Sequence, residues 1–399
     1  MSDIELSKLY YQNRDAYEKI YQERFSSVHT VRLNFNINGN PAFFERTPEI
    51  VEMLTNILRW NGEVSKLCVL LPGAALDQFA RRCLIDEIVL TNGIEGVRST
   101  RREISDILDE PRTRNRRRRF YGLVRNYQTL MKKESVSLES CQDIRKIYDE
   151  LVLDEVRAEN PKNIPDGRLF RKNSVSVYSP SQKEIHRGVY PESRIIEQME
   201  QALAFLNGDS CDILYRIAAF HYLLEYIHPF YDGNGRLGRF LCSYLLSREL
   251  SPVTGYRISY TIREQINEYY RAFATCNDFK NRGDLTPFIR MFMNIIQISV
   301  GKLKESLQEG YDRLTRCAEL IPAFPESGES KMAELYYLLL EAALFSEYGV
   351  SAKEILNRLD ISYDTLKRKL ARIPSEYLKK RKQKTALYYA LDMERIENL

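Results

Sequence analysis

The stretch His228–Arg239, HPFYDGNGRLGR, constrains the fold of this chain more than any other segment. The residues before it, DILYRIAAFHYLLEYI, follow helical spacing, and Pro229 disfavours helical geometry in the residue that precedes it. A helix therefore has to end near His228, which then faces a loop. Just after this loop the sequence RLGRFLCSYLL begins a second helical pattern, so we predict two helices joined by a short glycine-containing turn.

The predicted loop carries residue types that move protons and bind anions. The imidazole of His228 can accept a proton from a hydroxyl at neutral pH. In Asp232–Gly235, DGNG, the glycines let main-chain N–H groups turn toward a ligand, and the following helix N-terminus favours anions. A carboxylate beside phosphates needs a cation between them, so we predict that Asp232 binds Mg²⁺. Arg236 and Arg239 lie on one helical face and are predicted to reach a polyphosphate, whereas the alternative is a plain turn before a surface helix.

The same segment resembles the active-site motif of the Fic (filamentation induced by cAMP) family, HPFx(D/E)GNGRxxR, and matches every fixed position. Members of that family transfer AMP from ATP to a Ser, Thr or Tyr hydroxyl of another protein. The resemblance implies that His228 is the base, that Asp232 holds Mg²⁺ and that Phe230 is a buried anchor. It also implies a set of nucleotide-binding residues, namely Asp232, Gly233, Asn234, Gly235, Arg236, Leu237, Gly238 and Arg239. Related death-on-curing kinases have a lysine at the position of Gly235, so the glycine favours adenylylation over phosphorylation.

Two other segments resemble parts of the same family less closely. In NSVSVYSPSQKEIHRGVYP, alternation, a turn at Pro180 and a return over 185–190 predict a hairpin that looks like the family's flap. The flap lies over the nucleotide and aligns the target peptide by strand addition. Its implied contact residues are Val175, Ser176, Val177 and Tyr178. Downstream, YYRAFATCND resembles the helix that contacts adenosine, which implies roles for Tyr269, Tyr270 and Asn277.

A built-in inhibitor is predicted at Thr91–Gly96, TNGIEG, which fits the family's inhibitory pattern (S/T)xxxE(G/N). A glutamate beside the phosphate site would pair with Arg239 and take the place of the γ-phosphate, so Glu95 is the candidate. Asn92 and Gly93 by themselves indicate a turn. The alternatives are an ordinary surface glutamate, or a glutamate that positions water to remove AMP, as in some relatives.

The predicted fold is mainly α, with a Fic-fold helical core, a β-hairpin flap and a C-terminal winged helix-turn-helix domain. We expect an N-terminal helical region at 1–139, a Fic core at 140–305, a linker at 306–330 and a winged helix at 331–399. The linker is predicted from the Pro-, Gly- and Ser-rich stretch IPAFPESGESK. The winged helix is predicted from two short helical patterns in SAKEILNRLDISYDTLKRKLARI, followed by a basic hairpin in EYLKKRKQKTALYYAL. Self-association through helices is a further expectation.

A competing hypothesis is a transcriptional regulator that binds DNA through this C-terminal domain, although the domain fits protein recruitment equally well. The basic residues that favour DNA are Lys367, Lys369, Arg372, Lys379, Lys380, Arg381, Lys382 and Lys384. A second basic run, Arg112–Arg119, is interpreted as a solvated surface, with an anion-binding patch as the alternative. A third hypothesis keeps the Fic fold and replaces ATP with another donor, so that UMP or phosphocholine is transferred.

Charge and cysteine usage narrow the class of protein. The 59 Lys and Arg residues barely exceed the 55 Asp and Glu residues, so any nucleic-acid surface has to be local. The 7 cysteines are scattered, which favours free thiols. Neither a signal peptide nor an apolar run of membrane length is evident, so a soluble cytoplasmic protein without membrane contact is expected.

Overall fold

The computed structural model describes residues 5–110, 118–132, 134–178, 184–383 and 386–398. The helices are α1 (Leu6–Gln12), α2 (Arg14–Ser26), α3 (Pro48–Leu70), α4 (Gly73–Ile94), α5 (Arg101–Asp109), α6 (Tyr121–Met131), α7 (Cys141–Leu151), α8 (Leu153–Glu159), α9 (Glu192–Asn207), α10 (Ile213–Ile227), α11 (Asn234–Glu249), α12 (Ile258–Glu264), α13 (Ile266–Asn277), α14 (Thr286–Ala318), α15 (Ser330–Phe345), α16 (Ala352–Leu359), α17 (Tyr363–Arg372) and α18 (Met393–Ile396). The strands are β1 (Thr30–Ile37), β2 (Asn40–Glu45), β3 (Ser176–Tyr178), β4 (Glu184–Arg187), β5 (Val350–Ser351), β6 (Leu378–Gln383) and β7 (Ala386–Leu391). The mainly α fold predicted from the sequence is confirmed.

The chain forms two compact units. The first contains residues 1–61 and 84–301, and the second contains residues 62–83 and 302–399. The predicted N-terminal region at 1–139 is therefore divided, because the C-terminal part of α3 and the first half of α4 belong to the second unit. The linker predicted at 306–330 is also wrong over 306–318, where α14 continues without a break.

Helices α10 and α11 form the centre of the first unit. Residues 217–224 of α10 and 236–244 of α11 are buried at every position. A helix that buries side chains on all its faces has to be surrounded by other elements. The junction between these two helices, where the sequence places the histidine and glycine loop, is therefore held on a rigid support.

Two hairpins accompany the helices of the first unit. In the flap, Ser176 pairs with Arg187 and Val177 with His186 in antiparallel register, as predicted, while the turn predicted at Pro180 lies outside the described residues. Strands β1 and β2 form a second hairpin inside the N-terminal region predicted to be helical. Its signals were strand alternation in TVRLNFNI and the Asn38–Gly39 turn, where both residues have positive φ.

The C-terminal part of the second unit has a helix, a short strand, two helices and two strands, α15-β5-α16-α17-β6-β7. Its strands form an antiparallel sheet in the order β5-β7-β6. This is the element order expected for a winged helix-turn-helix. Among the described residues, the helices lack the combination of length and apolar character that crossing a membrane requires.

Candidate active site

His228 ends α10 in an unusual backbone conformation. The residue is the C-cap of the helix and is left-handed, with φ 53° and ψ 62°, and its N–H donates to the carbonyl of Leu224 at 2.9 Å. Pro229 follows and prevents the helix from continuing. This confirms that the histidine lies at a helix terminus facing the glycine loop.

The buried Arg171 holds this backbone in place. Its Nε donates to the carbonyl of His228 at 2.9 Å, and its Nη2 donates to the carbonyl of Val189 at 2.8 Å. A third bond runs from Nη1 to the carbonyl of Asn173 at 2.6 Å. Asn173 precedes β3 and Val189 follows β4, so one guanidinium joins both ends of the flap to the histidine.

Arg171→Ala is expected to destabilise the protein by about 3 kcal/mol or more, because several buried carbonyls lose a charged donor together. Chemical denaturation would measure the loss. The matched control is Arg168→Ala, since Arg168 is exposed and lies on the same segment. Equal stability of the two variants would show that the guanidinium does not hold the flap and His228 together.

Burial makes His228 a neutral base. Desolvation, together with the neighbouring His186 and Arg171, lowers the pKa of its imidazole to about 4. At neutral pH the ring is therefore unprotonated and ready to accept a proton. Phe230, the predicted anchor, is fully buried and stacks on Tyr148 with ring centroids 3.6 Å apart.

The glycine loop is shaped by close packing. Gly233 has φ 81°, and a Cβ there would lie 2.9 Å from Val152. Asn234 is buried and bonds with the main chain of Phe230 in both directions, through its Oδ1 at 3.0 Å and its Nδ2 at 2.8 Å. Asp232 stays about a third exposed, with 37% of its side chain accessible. The loop thus presents one accessible carboxylate beside the N-terminus of α11.

The two motif arginines have different partners. Arg236 is buried and donates to Glu155 of α8 at 2.8 Å. Burial raises the pKa of Glu155 to about 7, against the opposing charge of Arg236. Arg239 donates through Nη2 to Glu95 Oε1 at 2.7 Å and through Nε to Thr91 Oγ1 at 2.8 Å. The contact between Glu95 and Arg239 is therefore the one predicted from the sequence.

Glu95 directly follows helix α4, because Asn92 and Gly93 are helical rather than in the predicted turn. Desolvation raises the pKa of Glu95, but the charge and hydrogen bond of Arg239 outweigh it, so the net pKa is lowered. Glu95 is therefore ionised at neutral pH. A Cβ at Gly235 would push against the Glu95 carboxylate and the Arg239 guanidinium, so the glycine lets this pair lie close to the start of α11.

Helix α4 is fastened to the core by a second buried carboxyl on the same face. Glu87, Thr91 and Glu95 are spaced four residues apart, which places them one above the other along the helix. Glu87 accepts from Ser259 N at 2.8 Å and from Ser243 Oγ at 3.1 Å. Desolvation raises the pKa of Glu87 to about 7. Glu95 therefore contacts Arg239 from the same side of α4 that Glu87 fastens to the core.

One cavity of about 170 Å³ brings several predicted residues together. The cavity is lined by residues from several elements of the first unit: Glu95, His186, Glu225, His228, Gly235, Arg239, Tyr269, Tyr270, Phe273 and Asn277. The predicted base, the start of α11, the glutamate predicted to be inhibitory and the predicted adenosine contacts therefore share one space. Asn277 is already oriented, since its Oδ1 accepts from the hydroxyl of Tyr222 at 2.6 Å.

Other predicted contacts do not line this cavity. Leu237 is fully buried, and Gly238 packs against α10, where a Cβ would lie 2.7 Å from Glu225 Oε1. Both residues therefore pack within the core at this point, and their contact with a nucleotide stays a prediction. Val175 and Ser176 are half-buried at the start of the flap, and the side chains of Val177 and Tyr178 lie outside the described part.

The basic sets predicted from the sequence are partly neutralised. Lys369 is buried and bonds Glu329 at 2.5 Å, while Lys379 bonds Asp392 at 2.8 Å. Arg372 also pairs with Glu329. Residues 111–117 and Lys384 lie outside the described residues, and Arg118 pairs with Glu110 at 2.6 Å. DNA binding by the C-terminal domain stays a prediction.

Sequence reasoning missed three residues of the site. Glu225 stands three positions before His228, so helical spacing was an available signal. Arg171 and Glu155 reach His228 and Arg236 across long stretches of chain, and nothing local in the sequence indicates those contacts.

Comparisons with known proteins agree with this geometry. Residues 138–246 match the Fic/DOC family. The protein adenylyltransferase fic-1 of Caenorhabditis elegans is 27% identical over 208 residues, which cover 49% of this chain and 37% of that protein. The protein adenylyltransferase Fic of Drosophila melanogaster is 32% identical over 128 residues, which cover 31% of this chain and 23% of the fly protein. The matched region is thus a minority of each relative's length.

A crystal structure of a Fic family protein from Desulfovibrio desulfuricans G20 has a similar fold. It aligns with a TM-score of 0.52 and 21% identity, over 87% of this chain and 97% of that one. The histidine and glycine loop between two buried helices is therefore set in a Fic fold. The family match over residues 138–246 agrees with the resemblance seen in the sequence.

Proposed function

We propose that this protein is an adenylyltransferase that moves AMP from ATP to a Ser, Thr or Tyr hydroxyl of a protein and releases pyrophosphate. The observation that carries the proposal is the single cavity shared by His228, Gly235 and Arg239. Two similar proteins are named protein adenylyltransferases. A neutral base beside an anion site is what such a transfer needs.

The reaction uses the neutral imidazole of His228. The ring accepts the proton of the target hydroxyl while that oxygen bonds to the α-phosphorus of ATP. The bond between the α-phosphorus and the bridging oxygen of the pyrophosphate then breaks. The N-terminus of α11 and the guanidinium of Arg239 face the negative charge of the phosphates.

Asp232 is the residue that would hold Mg²⁺. When bound, this ion supplies positive charge to the phosphate oxygens. The described residues contain no cluster of three or more metal-binding side chains. One accessible carboxylate nevertheless fits Mg²⁺, which usually takes one or two carboxylates and completes its shell with phosphate oxygens and water.

The flap supplies a surface for the target peptide. Within the described residues, its sheet contains β3 and β4 only, so each strand has an edge without a neighbouring strand. Such edges pair readily with an extended segment of another chain. Arg171 ties both ends of the flap to His228, so a peptide added there would be held close to the base.

Autoinhibition follows from the pair of Glu95 and Arg239. While Arg239 is bonded to Glu95, it is not free for the terminal phosphate of ATP. A group with a lowered pKa in the folded state stays ionised until the pH falls through that lowered value. Mild acidification is therefore not expected to release Glu95.

The test uses ATP labelled at the α- or the γ-phosphate, incubated with Mg²⁺, the Glu95→Gly protein and a cell lysate. Transfer of AMP places only the α label on protein. Incorporation of the γ label that requires the added protein, and that is lost when its His228 is replaced by Asn, would identify a kinase and contradict the proposal. If neither label is incorporated, while labelled UTP or CDP-choline modifies protein, the fold uses another donor.

A further inference from the structure

The cavity contains a buried carboxyl group that the proposed chemistry does not yet use. Glu225 lies one helical turn before His228 on α10, and its side chain is 14% exposed. Its Oε2 lies 3.9 Å from His228 Nδ1. Among the described residues, neither Glu225 Oε1 nor His228 Nδ1 has a partner in hydrogen-bonding geometry, although the main-chain carbonyl of Glu225 lies close enough to the ring to oppose the lowering of its pKa.

Unpartnered buried polar atoms are costly, and here an imidazole with an unpartnered Nδ1 stands opposite the Oε2 of a carboxyl group whose Oε1 is also unpartnered, which calls for an explanation. A separation of 3.9 Å is too long for a hydrogen bond, but catalytic hydrogen bonds are often long before substrate binds. A small rotation of either side chain would join the two groups. Gly238 leaves the carboxyl its space, since a Cβ there would lie 2.7 Å from Glu225 Oε1.

We propose that Glu225 is a positioning residue for His228, whose carboxyl group accepts the Nδ1 hydrogen and thereby keeps Nε2 free to take the target's proton. This inference rests on the proposed function. In the transfer step the hydroxyl proton moves to Nε2, and the ring becomes positively charged. A carboxyl oxygen on Nδ1 fixes the tautomer and stabilises that charge.

The electrostatics support this arrangement. Burial, together with the charge of Glu95, raises the pKa of Glu225 to about 8 against the opposing charge of Arg239. Because the pKa of His228 is lowered to about 4, neither group is charged at neutral pH. A neutral carboxylic acid retains a carbonyl oxygen that accepts a hydrogen bond. The charged or titratable groups facing the pair include Glu95, Arg171, His186, Arg239, Cys242, Tyr269 and Tyr270.

The test is nitrogen NMR of the imidazoles, which distinguishes the two tautomers. The chain has only 4 histidines, and His228→Asn assigns the signals of interest. We expect the Nδ1–H tautomer in the parent protein and a shift toward Nε2–H in Glu225→Ala. Gly238→Ala, whose added methyl group would displace the Glu225 carboxyl group, is expected to cause the same shift. An unchanged tautomer in both variants would overturn the proposal.

Kinetics in the Glu95→Gly background give a second measurement. Glu225→Ala is expected to lower kcat about tenfold or more, with the KM for ATP changed by less than about twofold. Glu225→Gln, which keeps a carbonyl oxygen and the side-chain volume, should recover most of the rate. The matched control is Glu341→Ala, which removes a buried carboxyl from the second unit.

Two results would separate this inference from the proposed function. If kcat falls equally in Glu341→Ala and Glu225→Ala, the loss reflects general destabilisation of the protein. That result would overturn the positioning role of Glu225. If no variant transfers AMP, the proposed function fails, while the tautomer of His228 still decides whether Glu225 positions the ring.

Discussion

His228→Ala in the Glu95→Gly protein is expected to lower the rate of AMP transfer by about 10²–10⁴-fold, the usual contribution of a general base. Among the described residues, the other histidines near the cavity already bond to other groups and are not expected to replace it as the base. His186 bonds through Nε2 to the carbonyl of Tyr226 at 2.6 Å, and His221 bonds to the hydroxyl of Tyr269 at 2.7 Å. The rate would be measured by intact-mass spectrometry of a modified target, or of the protein itself.

A second substitution separates chemistry from structure. The left-handed backbone of His228 is strained for alanine, whereas asparagine tolerates it better. His228→Asn should therefore fold like the parent and still lack transfer. His29→Ala removes an exposed histidine and should leave the rate unchanged. ATP binding should change by less than about twofold in the His228 variants, because the base does not hold the phosphates. Transfer at parental rate by either His228 variant would exclude this histidine as the base.

Glu95→Gly is expected to raise the transfer rate by about tenfold to a hundredfold over the parent, in the range of common coupling energies. The substitution removes the carboxylate that bonds Arg239 at 2.7 Å and frees the guanidinium for phosphate. The measurement is the initial rate of AMP transfer at saturating ATP. Glu95→Gln should give a smaller rise, since its amide oxygen can still accept a hydrogen bond from Arg239 without the ionic attraction.

Glu249→Gly provides the matched control for this change. Glu249 is exposed at the end of α11, so the variant introduces the same flexible residue at a helix terminus away from Arg239. A rise in rate for Glu249→Gly would attribute the effect to general loosening. Equal rates for the parent and Glu95→Gly would contradict autoinhibition. A faster loss of AMP from modified protein in the parent than in Glu95→Gly would instead support a water-positioning role for this glutamate.

Local sequence was sufficient for much of the fold and for part of the site. The spacing of apolar residues, Pro229 and the glycines located α10, the loop and α11, because helix ends and turns depend on a few neighbouring residues. The flap was also predictable from alternation over a short segment. The N-terminal hairpin was missed although Asn38–Gly39 is a strong turn signal. The helical patterns that follow it led to the prediction that the whole region is helical.

Longer-range features were not predictable in the same way. The sequence suggested that Arg236 and Arg239 act alike because they are neighbours on one helix. In the structure Arg236 meets Glu155 of α8, and Arg239 meets Glu95 after α4. The inhibitory motif did predict the contact of Arg239 with Glu95. The contact of Arg236 with Glu155 depends on how α8 packs against the loop.

By itself the sequence determined a mainly helical protein, a histidine at the end of a helix and a glycine loop opening onto the next helix. These features follow from backbone sterics and from residues adjacent in the chain. Only the tertiary structure decided that Arg171 joins the flap to His228 and that Glu225 faces Nδ1 in a buried space. Such contacts arise from the packing of distant segments, and burial then sets the protonation of the groups that packing brings together.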